Sequence, residues 1–599
     1  MSPAIPPSLI YFAGALLVLV LPGVFRKAAA LLTAVAGFGF FFLLSPLYGG
    51  GEPVTLWSFQ FLDFDLVLGK IDGWRLIFYN IFALLSIIGV IFILNTKGPL
   101  EYSAGLLYAG SALGVVLAGD LISLFVFWEL LTVGAVLLIL ARKTERSTQA
   151  ALRYFTVHVL GGVILLAGIA LHIHETGSLA VEKIALGSPA SWLIFIGVGV
   201  NSAWPILGAW LTDTYPEASV GGIVFMATYT TKSAIFVLAQ LFAGESYLIW
   251  IGSAMALIPL FYAVIENDLR RVLAYCLINQ VGFMVIGVGL GTDLSLNGTA
   301  AHAYCHILYK ALLFMSVGAV IFRTGKSKAT ELGGLYKSMP ITCIFCCIGA
   351  ASISAPLFGG FVSKSMVLSA AAGGGYSLVW LILLFASVGV FLLAGIKITY
   401  FAFFSRDAGH RCEEAPLNML VAMGITAFMC IFVGSFPNAF LYKMLPTGAT
   451  YQPYTVAHVT DQYALLFFSA LGFILLIRSG LYPAEIRSTN VDADVIYRKG
   501  GRLAYRIFDK SLNGLNTGIR DLLVGGLVSN LSKFFADAPA RIGAVIMTPI
   551  WAAGGVRGAD LSTRRKELRE SIRSGAGQIG VTACFAVVLL GILFLIRIS

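Results

Sequence analysis

The chain has 599 residues, of which 58% are hydrophobic and only 12% are charged, and its formal net charge is +10. Soluble globular domains carry about 25% charged residues, so this composition excludes a soluble enzyme. The basic residues lie in many short segments rather than in one patch, which argues against a nucleic-acid partner. Apolar runs of about 20 residues recur along the chain, and each can cross a bilayer as a helix. The sequence therefore predicts an all-α polytopic membrane protein.

Sixteen membrane spans are predicted in chain order. They fall near residues 8–24, 28–46, 75–95, 103–118, 121–140, 155–172, 190–209, 219–242, 247–265, 271–290, 299–322, 341–371, 376–404, 417–436, 461–478 and 578–597. The first run ends at Arg26 without a convincing cleavage site, so it is interpreted as a span rather than a signal peptide. The twelfth contains the segment SAPLFGG at 354–360, where proline and glycine predict a break.

Lysine and arginine are distributed unevenly between the connecting segments. The segments that follow odd-numbered spans (the odd loops) are rich in these residues, and those that follow even-numbered spans (the even loops) are poor in them. Because positive charge is retained on the cytoplasmic side, the odd loops are predicted to be cytoplasmic and the N-terminus to lie outside.

Residues 481–577 differ from the rest of the chain. They mix arginine, lysine, aspartate and glycine with short apolar stretches, and Pro539 and Pro549 are expected to interrupt them. The pattern predicts amphipathic helices lying along the cytoplasmic face of the membrane, followed by the last span. A soluble cytoplasmic domain is the alternative for this segment.

The stretch at residues 201–232 carries polar residues inside a run of membrane spans. Pro205 and the charged residues Asp213, Glu217 and Lys232 predict an interrupted helix pair with a buried amine. A cation at mid-membrane costs about 2.5–3.5 kcal/mol on insertion scales, so such a residue usually faces a partner or water. The two carboxylates are expected near the membrane edge, where they can cap the next helix.

Five further ionisable residues lie inside apolar helices. His302, His306 and Lys310 stand at i, i+4 and i+8 on one helix, a spacing that puts them on one face. Imidazole titrates near neutral pH, so this stripe favours a proton relay, with histidines satisfied by carbonyl groups as the alternative. Glu129 is an intramembrane acid for which function is the default hypothesis and a packing hydrogen bond the alternative. Lys364 follows the predicted break, where transporters place polar sites.

Other basic residues give weaker signals. Lys397 lies inside the thirteenth span and either belongs to the same row or extends to the cytoplasmic end. Arg270 and Arg271 are interpreted as loop anchors. The sequence contains no phosphate loop, dinucleotide fingerprint, haem motif or metal-ligand pattern, so no cofactor, no metal and no catalytic site are expected.

Several motifs jointly resemble the proton-conducting antiporter family, which includes the D-type subunit of Mrp cation/proton antiporters and the antiporter-like subunits of respiratory complex I. They are, in order, DLISLFVFWEL, WLTDTYPEAS with TTK, ENDLRRVLAY with NQVGF, HAYCHILYKALLF, and GGLYKSMP with SAPLFGGFVSK. The resemblance covers about residues 70 to 440. It implies two inverted repeats of five helices with breaks in helices seven and twelve, and a tail like the lateral helix of the largest antiporter-like subunit.

The resemblance also implies a domain plan. Its divisions are helices 1–3 at 1–98, a first repeat at 99–243, a second repeat at 244–405, helices 14–15 at 406–480, the lateral segment at 481–577 and the final span at 578–599.

A proton pathway along the membrane midplane follows from the same resemblance. Its residues would be Glu129, Lys232, His302, His306, Lys310 and Lys364, with Asp213 and Lys397 as additional candidates. The chain departs from the family pattern at Asn201, where the family has a lysine, at Gly208, where it often has histidine, and at Thr212, where it has proline. The first-repeat pathway is therefore altered, while the second repeat matches.

The predicted function is proton translocation by an antiporter-like subunit of a multi-subunit complex in the bacterial inner membrane. Its partners would be other integral membrane subunits, the lipid bilayer, and protons that are exchanged for Na⁺ or K⁺ or move alone. Three alternatives stay open: the proton-pumping module of a redox-driven complex I-like or hydrogenase-like complex, a scaffold subunit with a degenerate first path, and the coupling subunit of an inorganic-ion uptake complex.

Overall fold

The computed structural model of the protein describes residues 5–48, 51–448, 450–482 and 494–572, together with the single residues 583, 586, 587 and 590. Helices occupy most of this part of the chain. They are α1 Pro7–Val20, α2 Gly23–Tyr48, α3 Gly73–Phe92, α4 Leu100–Leu117, α5 Leu121–Leu140, α6 Glu145–Thr176, α7 Pro189–Asn201, α8 Ala209–Thr214, α9 Gly222–Met226, α10 Thr230–Leu241, α11 Ser246–Ile265, α12 Leu269–Leu290, α13 Asp293–Thr324, α14 Pro340–Ala351, α15 Gly359–Gly373, α16 Ser377–Val390, α17 Leu417–Ser435, α18 Val456–Arg478, α19 Asp494–Arg520 and α20 Ser529–Ala553.

The described residues contain twelve helices that are long and apolar enough to cross a membrane. Three shorter apolar helices, α1, α7 and α14, lie at the positions of predicted spans. The predicted polytopic helical fold is confirmed. The predicted last span at 578–597 falls largely outside the described residues, and the total of sixteen spans stays a prediction.

Polar residues set the points at which several helices begin. The side chains of Asp72, Asp120 and Thr292 each accept a hydrogen bond from a backbone N–H in the first turn of the helix that follows. Thr144 and Ser188 form capping boxes with a serine three residues further on. These contacts satisfy N–H groups that have no partner inside the helix.

A β-hairpin between α2 and α3 is an element that the helical prediction missed. Strand β1, Val54–Phe61, pairs antiparallel with β2, Phe64–Ile71, and Val54 lies opposite Ile71. Leu62 in the connecting turn has a φ of 54°, a conformation that is uncommon for a leucine. The alternating apolar and polar residues of VTLWSFQF are typical of a half-buried strand, so the signal is present in the sequence.

Hydrogen bonds join the odd loops, or the helix ends beside them, into one layer, which is called the odd layer below. They run from Arg26 to Lys97, from Ser219 to Glu101, from Arg142 to Pro216, from Arg270 to Ala218, from Asn267 to Thr330 and from Ala408 to Gly333. The basic segments therefore share one face of the protein, as the alternation of predicted spans requires.

The even loops form a second, separate layer. Its hydrogen bonds run from Gly119 to Val67, from Leu121 to Leu179, from Ile184 to Leu241, from Gly244 to Val288 and from Asn297 to Thr447. This separation of the odd and the even loops into two layers agrees with the predicted order of the first fourteen spans. Which layer faces the cytoplasm stays a prediction based on the charge distribution.

Two helices are broken at the predicted positions. The chain leaves α7 after Asn201 and becomes helical again at Ala209, and it leaves α14 after Ala351 and becomes helical again at Gly359. Residues with positive φ turn the chain in both breaks, at Ala203 and Ile206 in the first and at Leu357 in the second. Broken helices leave backbone carbonyl groups without helical partners inside the protein. The inverted five-helix repeats stay a prediction.

Residues 495–599 form a compact unit distinct from residues 1–494. The helical run from Asp494 to Ala553 supplies residues 495–553 of this unit, and within it a π-helical segment at Asp521–Val528 joins α19 to α20. The expected interruptions at Pro539 and Pro549 are wrong, because both prolines lie inside α20. Each proline removes one intrahelical hydrogen bond, a loss that an exposed helix tolerates when solvent binds the freed carbonyl.

The same helical run carries an exposed apolar stripe. The side chains of Phe508, Leu512, Leu515, Ile519 and Leu522 follow at intervals of three or four residues, and all are exposed. This periodicity is that of an amphipathic helix. The placement of the helix along a membrane face stays a prediction.

Candidate functional site

Lys232 is buried on α10, just after a break in the predicted eighth span. Helix α9 ends at Met226 and α10 begins at Thr230, so the carbonyl of Ala227 lies outside regular helix. The Lys232 amine donates a hydrogen bond of 2.5 Å to this carbonyl, and the side chain is 0% exposed. The adjacent hydroxyl groups of Thr231 and Ser233 are buried and have no hydrogen-bond partner among the described residues. The amine is thus held by neutral polar groups inside the protein.

Helix α13 contributes three buried ionisable side chains on one face, as predicted. The ring centroids of His302 and His306 are 5.9 Å apart. Neither ring nitrogen of His306 has a hydrogen-bond partner among the described residues. Lys310 donates a 3.0 Å hydrogen bond to the carbonyl of Leu273.

A neutral polar network lies beside this face. The Tyr309 hydroxyl donates to the side-chain oxygen of Gln280 at 2.8 Å, and the Gln280 amide donates to Asn279 at 2.5 Å. The ring of Tyr309 contacts His306 edge-on at 5.2 Å. The sequence interpretation did not single out these residues, because neutral amides and hydroxyls in a membrane helix give a much weaker signal than charges do.

Lys364 lies in α15, one turn after the break between α14 and α15. Its amine bonds to the hydroxyls of Ser354 and Ser387 at 3.1 and 3.4 Å and lies 5.5 Å from the centre of the Phe283 ring. The neighbouring Ser363 hydroxyl is 3.1 Å from a ring nitrogen of His302. The start of α15 after the break therefore places Lys364 next to the serine that bonds to His302.

Five of the predicted pathway residues are thus buried, Lys232 on α10, His302, His306 and Lys310 on α13, and Lys364 on α15, and this set is called the row below. No carboxylate of the described residues lies within ion-pair distance of the three amines. Because hydroxyls, carbonyls and imidazoles are their neighbours, each group can be charged or neutral without breaking an ion pair. Such a row can hold and pass protons.

Glu129 lies apart from this row. It belongs to a stripe of α5 with Val126 and Val133, which are exposed, and it is itself only half-buried. Its Oε1 atom has no hydrogen-bond partner among the described residues, and the residue is in no ion pair there. Asn201, at the end of α7, is buried, and neither atom of its amide has a partner in the same part of the chain.

His158 is a buried histidine that the sequence interpretation missed. It is 0% exposed on α6, its ring stacks on Tyr154 at 3.8 Å, and it meets Trp210 edge-on at 4.4 Å. Its Nε2 atom has no partner among the described residues. An imidazole inside the predicted span at 155–172 was the available signal, since an ionisable group in a membrane span is a candidate functional residue.

The two carboxylates near the first break have structural partners. Asp213 accepts two hydrogen bonds from Arg153, the shorter at 2.6 Å, and Glu217 pairs with Arg142 at 2.8 Å. The N–H of Gly222 at the start of α9 donates to the Ser219 hydroxyl. The expected cap thus comes from serine rather than from either carboxylate, because the arginines of the odd layer bind both acids.

Arg270 and Arg271 lie in the first turn of α12, which begins at Leu269. Asp268 caps this helix by accepting from both backbone N–H groups. The Arg270 side chain is 3% exposed and donates to the carbonyl of Ala218, while Arg271 lies 3.7 Å from Glu266. The two arginines therefore lie in a helix rather than in a loop, because Asp268 starts the helix before them, and their anchor role stays a prediction.

Lys397 caps the C-terminal end of α11. It lies at the end of a π-helical segment, Phe391–Lys397, and is 0% exposed. Its amine donates to the carbonyls of Ala263, Val264 and Glu266, where α11 ends. A cation at a helix C-terminus is stabilised by the last carbonyl groups and the helix dipole. The Lys397 amine reaches the side of the odd loops, as one of the two interpretations expected. It lies inside the protein rather than at its surface.

We expect Lys397→Met to destabilise the protein by about 2 kcal/mol or more, because buried carbonyls would lose their donor. Thermal unfolding of the purified protein in detergent measures the effect. Lys337→Met, which changes an exposed lysine of an odd loop, is the matched control and should leave the midpoint unchanged. Equal midpoints for both variants would contradict the capping role.

The region that contains the row matches a known family. Residues 118–434 match the model of the family described as NADH:quinone oxidoreductase/Mrp antiporter, transmembrane region, which is more than half of the chain. The chain belongs to this family. The resemblance inferred from the motifs is thereby confirmed.

Individual relatives are similar over most of the chain. It is 26% identical over 483 residues to the A subunit of the Na(+)/H(+) antiporter of Alkalihalophilus pseudofirmus, covering 72% of this chain and 60% of that relative. It is 28% identical over 421 residues to the N subunit of the NADH-quinone oxidoreductase of Desulforudis audaxviator, covering 64% of this chain and 84% of that relative. The chain therefore spans less than two thirds of the length of the first of these.

A solved structure has the same fold. In the membrane-bound sulfane sulfur reductase, an archaeal respiratory membrane complex, one chain superposes with a TM-score of 0.68 at 22% identity, covering 91% of this chain and 99% of that chain.

Proposed function

We propose that this family member conducts protons through the buried row of Lys232, His306, His302 and Lys364, as one component of a multi-subunit complex in the bacterial inner membrane. The observation that carries the proposal is the burial of these four ionisable side chains on α10, α13 and α15, with Ser363 bonded to His302 beside Lys364. Isolated ionisable side chains are costly in a membrane interior and usually mark a transport path. In this protein several ionisable side chains are buried in one group of helices.

The chemistry of the row supports proton movement. His306 has two buried ring nitrogens without partners among the described residues, and its ring centroid lies 5.9 Å from that of His302. An imidazole can accept a proton at one nitrogen and release it from the other. Ser363 bonds to His302 and lies next to Lys364, so the row continues to the second break. Cytoplasmic odd loops, and hence an N-terminus outside, are part of this proposal and are supported by the basic odd layer.

We propose Na⁺ as the exchanged cation, since the first relative is named as part of a Na⁺/H⁺ antiporter. The second candidate is the proton-pumping module of a redox complex, because the chain covers 84% of a relative named as part of NADH-quinone oxidoreductase. Both functions use the same row and differ in the driving force.

We expect Lys232→Met to reduce proton flux at least about tenfold, because positioned proton-transfer groups contribute about 10²–10⁴-fold to rates. Methionine keeps most of the side-chain volume but has no proton to exchange. The measurement is the initial rate of internal pH change in vesicles that contain the whole complex, after a Na⁺ gradient is imposed. The same vesicles are then tested without the gradient but with an electron donor and a quinone.

Lys183→Met is the matched control, since Lys183 is exposed in an even loop. Flux that depends on Na⁺ supports exchange, and flux that depends on electron transfer supports the redox module. Wild-type rates in Lys232→Met under both conditions would refute conduction through the row.

A further inference from the structure

We propose that a basic cavity in the unit formed by residues 495–599 binds the phosphate headgroup of an anionic phospholipid, whose acyl chains lie along exposed isoleucines of α20. The proposal does not depend on proton conduction through the row. The cavity lies between α20 and the next helix, of which residues 559–572 are described.

The two helices pack against each other as an antiparallel pair. A Cβ atom placed on Gly543 of α20 would lie 3.1 Å from the side chain of Ile572 and 3.7 Å from that of Leu568. Further along α20, the Thr548 hydroxyl accepts a 2.9 Å hydrogen bond from Nε of Arg565. Later positions of α20 thus contact earlier positions of the next helix. The cavity between them is therefore part of the fold of this unit.

The cavity gathers positive charge from both helices. Its volume is about 830 Å³, and its basic lining residues are Arg541, Arg565, Lys566 and Arg569. None of the described residues that line it is acidic. Asp537, just outside the lining, accepts a 3.0 Å hydrogen bond from Arg569 and lies 4.0 Å from Arg541. Arg565 and Lys566 are in no ion pair among the described residues, so one carboxylate faces four cations.

The chemistry of the lining favours a phosphate group. Like charges held close together repel each other, and an anion between them removes that cost. Guanidinium groups present paired N–H donors that match the oxygen atoms of phosphate, and lysine adds a compact charge. The volume lies within the range of small-molecule sites, about 300–1,000 Å³, so the cavity has room for a whole lipid headgroup.

Exposed apolar side chains adjoin the cavity on α20. Ile542, Ile546 and Ile550 follow at intervals of four residues and are 60%, 56% and 56% exposed. Ile542 and Ile546 directly follow the lining residues Arg541 and Val545, so they lie about 100° further around the helix. An apolar stripe beside a basic surface is typical of a helix at a membrane interface. Acyl chains can cover these isoleucines while the phosphate enters the cavity, which favours a lipid over free phosphate.

The test is photolabelling of the whole complex in phosphatidylcholine vesicles that contain a small fraction of phosphatidylglycerol with a photoactivatable acyl chain. Labelling of residues 540–572 is quantified by peptide mass spectrometry. We expect the double variant Arg565→Gln/Lys566→Gln to reduce this labelling at least about tenfold, because basic residues attract anionic headgroups through their charge.

The double variant Arg557→Gln/Arg564→Gln is the matched control. Both arginines are exposed and lie outside the cavity lining, so the same charge is lost and labelling should not change. Equal losses in the two double variants would show general attraction to the membrane and would overturn the site. Thr548→Val removes the hydrogen bond to Arg565 but keeps all four cations, so it should retain most of the labelling. A loss as large as that of Arg565→Gln/Lys566→Gln would show that helix packing controls labelling, against the proposal.

Three further outcomes decide what the cavity binds. Phosphatidylcholine with the same photoactivatable chain should label these residues much more weakly, and equal labelling would overturn the choice of an anionic lipid. Inorganic phosphate should not reduce the labelling, and its loss on phosphate addition would show that the cavity binds free phosphate instead. Absence of labelling at residues 540–572 in the assembled complex would show that another subunit covers the cavity and would also overturn the proposal. Proton flux is not measured, so failure here leaves the proposed function untouched.

Discussion

Lys364→Met abolishes proton flux if the row is the conduction path. The amine lies at the end of the row, where it contacts the hydroxyls of Ser354 and Ser387 and the face of Phe283. Its removal would leave His302 with Ser363 as its neighbour and take away the amine at the second break. We expect a loss of about a hundredfold or more, the size found for positioned proton-transfer groups.

Lys443→Met is the control for this variant. Lys443 is exposed between α17 and α18, so its loss removes the same charge from the chain without changing the row. The initial rate of internal pH change is measured for both variants at equal amounts of assembled complex in the vesicles. Retention of wild-type flux by Lys364→Met would show that protons do not leave the row at this break.

Gly434→Ala is expected to disrupt the same site without touching a charged residue. Gly434 lies near the end of α17, and a Cβ atom there would collide with the backbone of Phe358 and the carbonyl oxygen of Leu357. These residues form the break that precedes α15. Backbone cannot rotate away as a side chain can, so we expect a cost of about 3 kcal/mol and a displaced Lys364.

Gly424→Ala on the same helix is the control. A Cβ atom there meets only the ring of Phe345, at 3.5 Å, which is ordinary van der Waals contact. Thermal unfolding in detergent and proton flux are measured for both variants. A wild-type midpoint and rate in Gly434→Ala would show that the break adjusts to the added methyl group.

Several features of this protein were predictable from local sequence signals. Long apolar runs can bury their backbone only as helices in a membrane, so composition predicted the fold class. Proline and glycine predicted the breaks after Asn201 and Ala351, because proline removes a helical hydrogen bond. Lys232 and Lys364 stood out as candidates because charge is rare in such helices. Their pathway role stays a prediction.

Other features depend on neighbours that are distant in the chain. Arg270 resembled a loop anchor because its binding carbonyl, that of Ala218, is 52 residues away. Lys397 was ambiguous because the helix end that it caps belongs to residues 263–266.

The sequence by itself determined that the chain crosses a membrane, that its seventh and twelfth spans break, and which ionisable groups lie inside it. These properties follow from hydrophobicity and backbone chemistry, which act over a few residues at a time. Only the tertiary structure decided that Ser363 of α15 bonds to His302, that Glu129 is half-buried in a stripe with exposed residues, and that His158 stacks on Tyr154 beside Trp210. Those relations depend on how helices far apart in sequence pack, and packing geometry is not encoded in the pattern of any single helix.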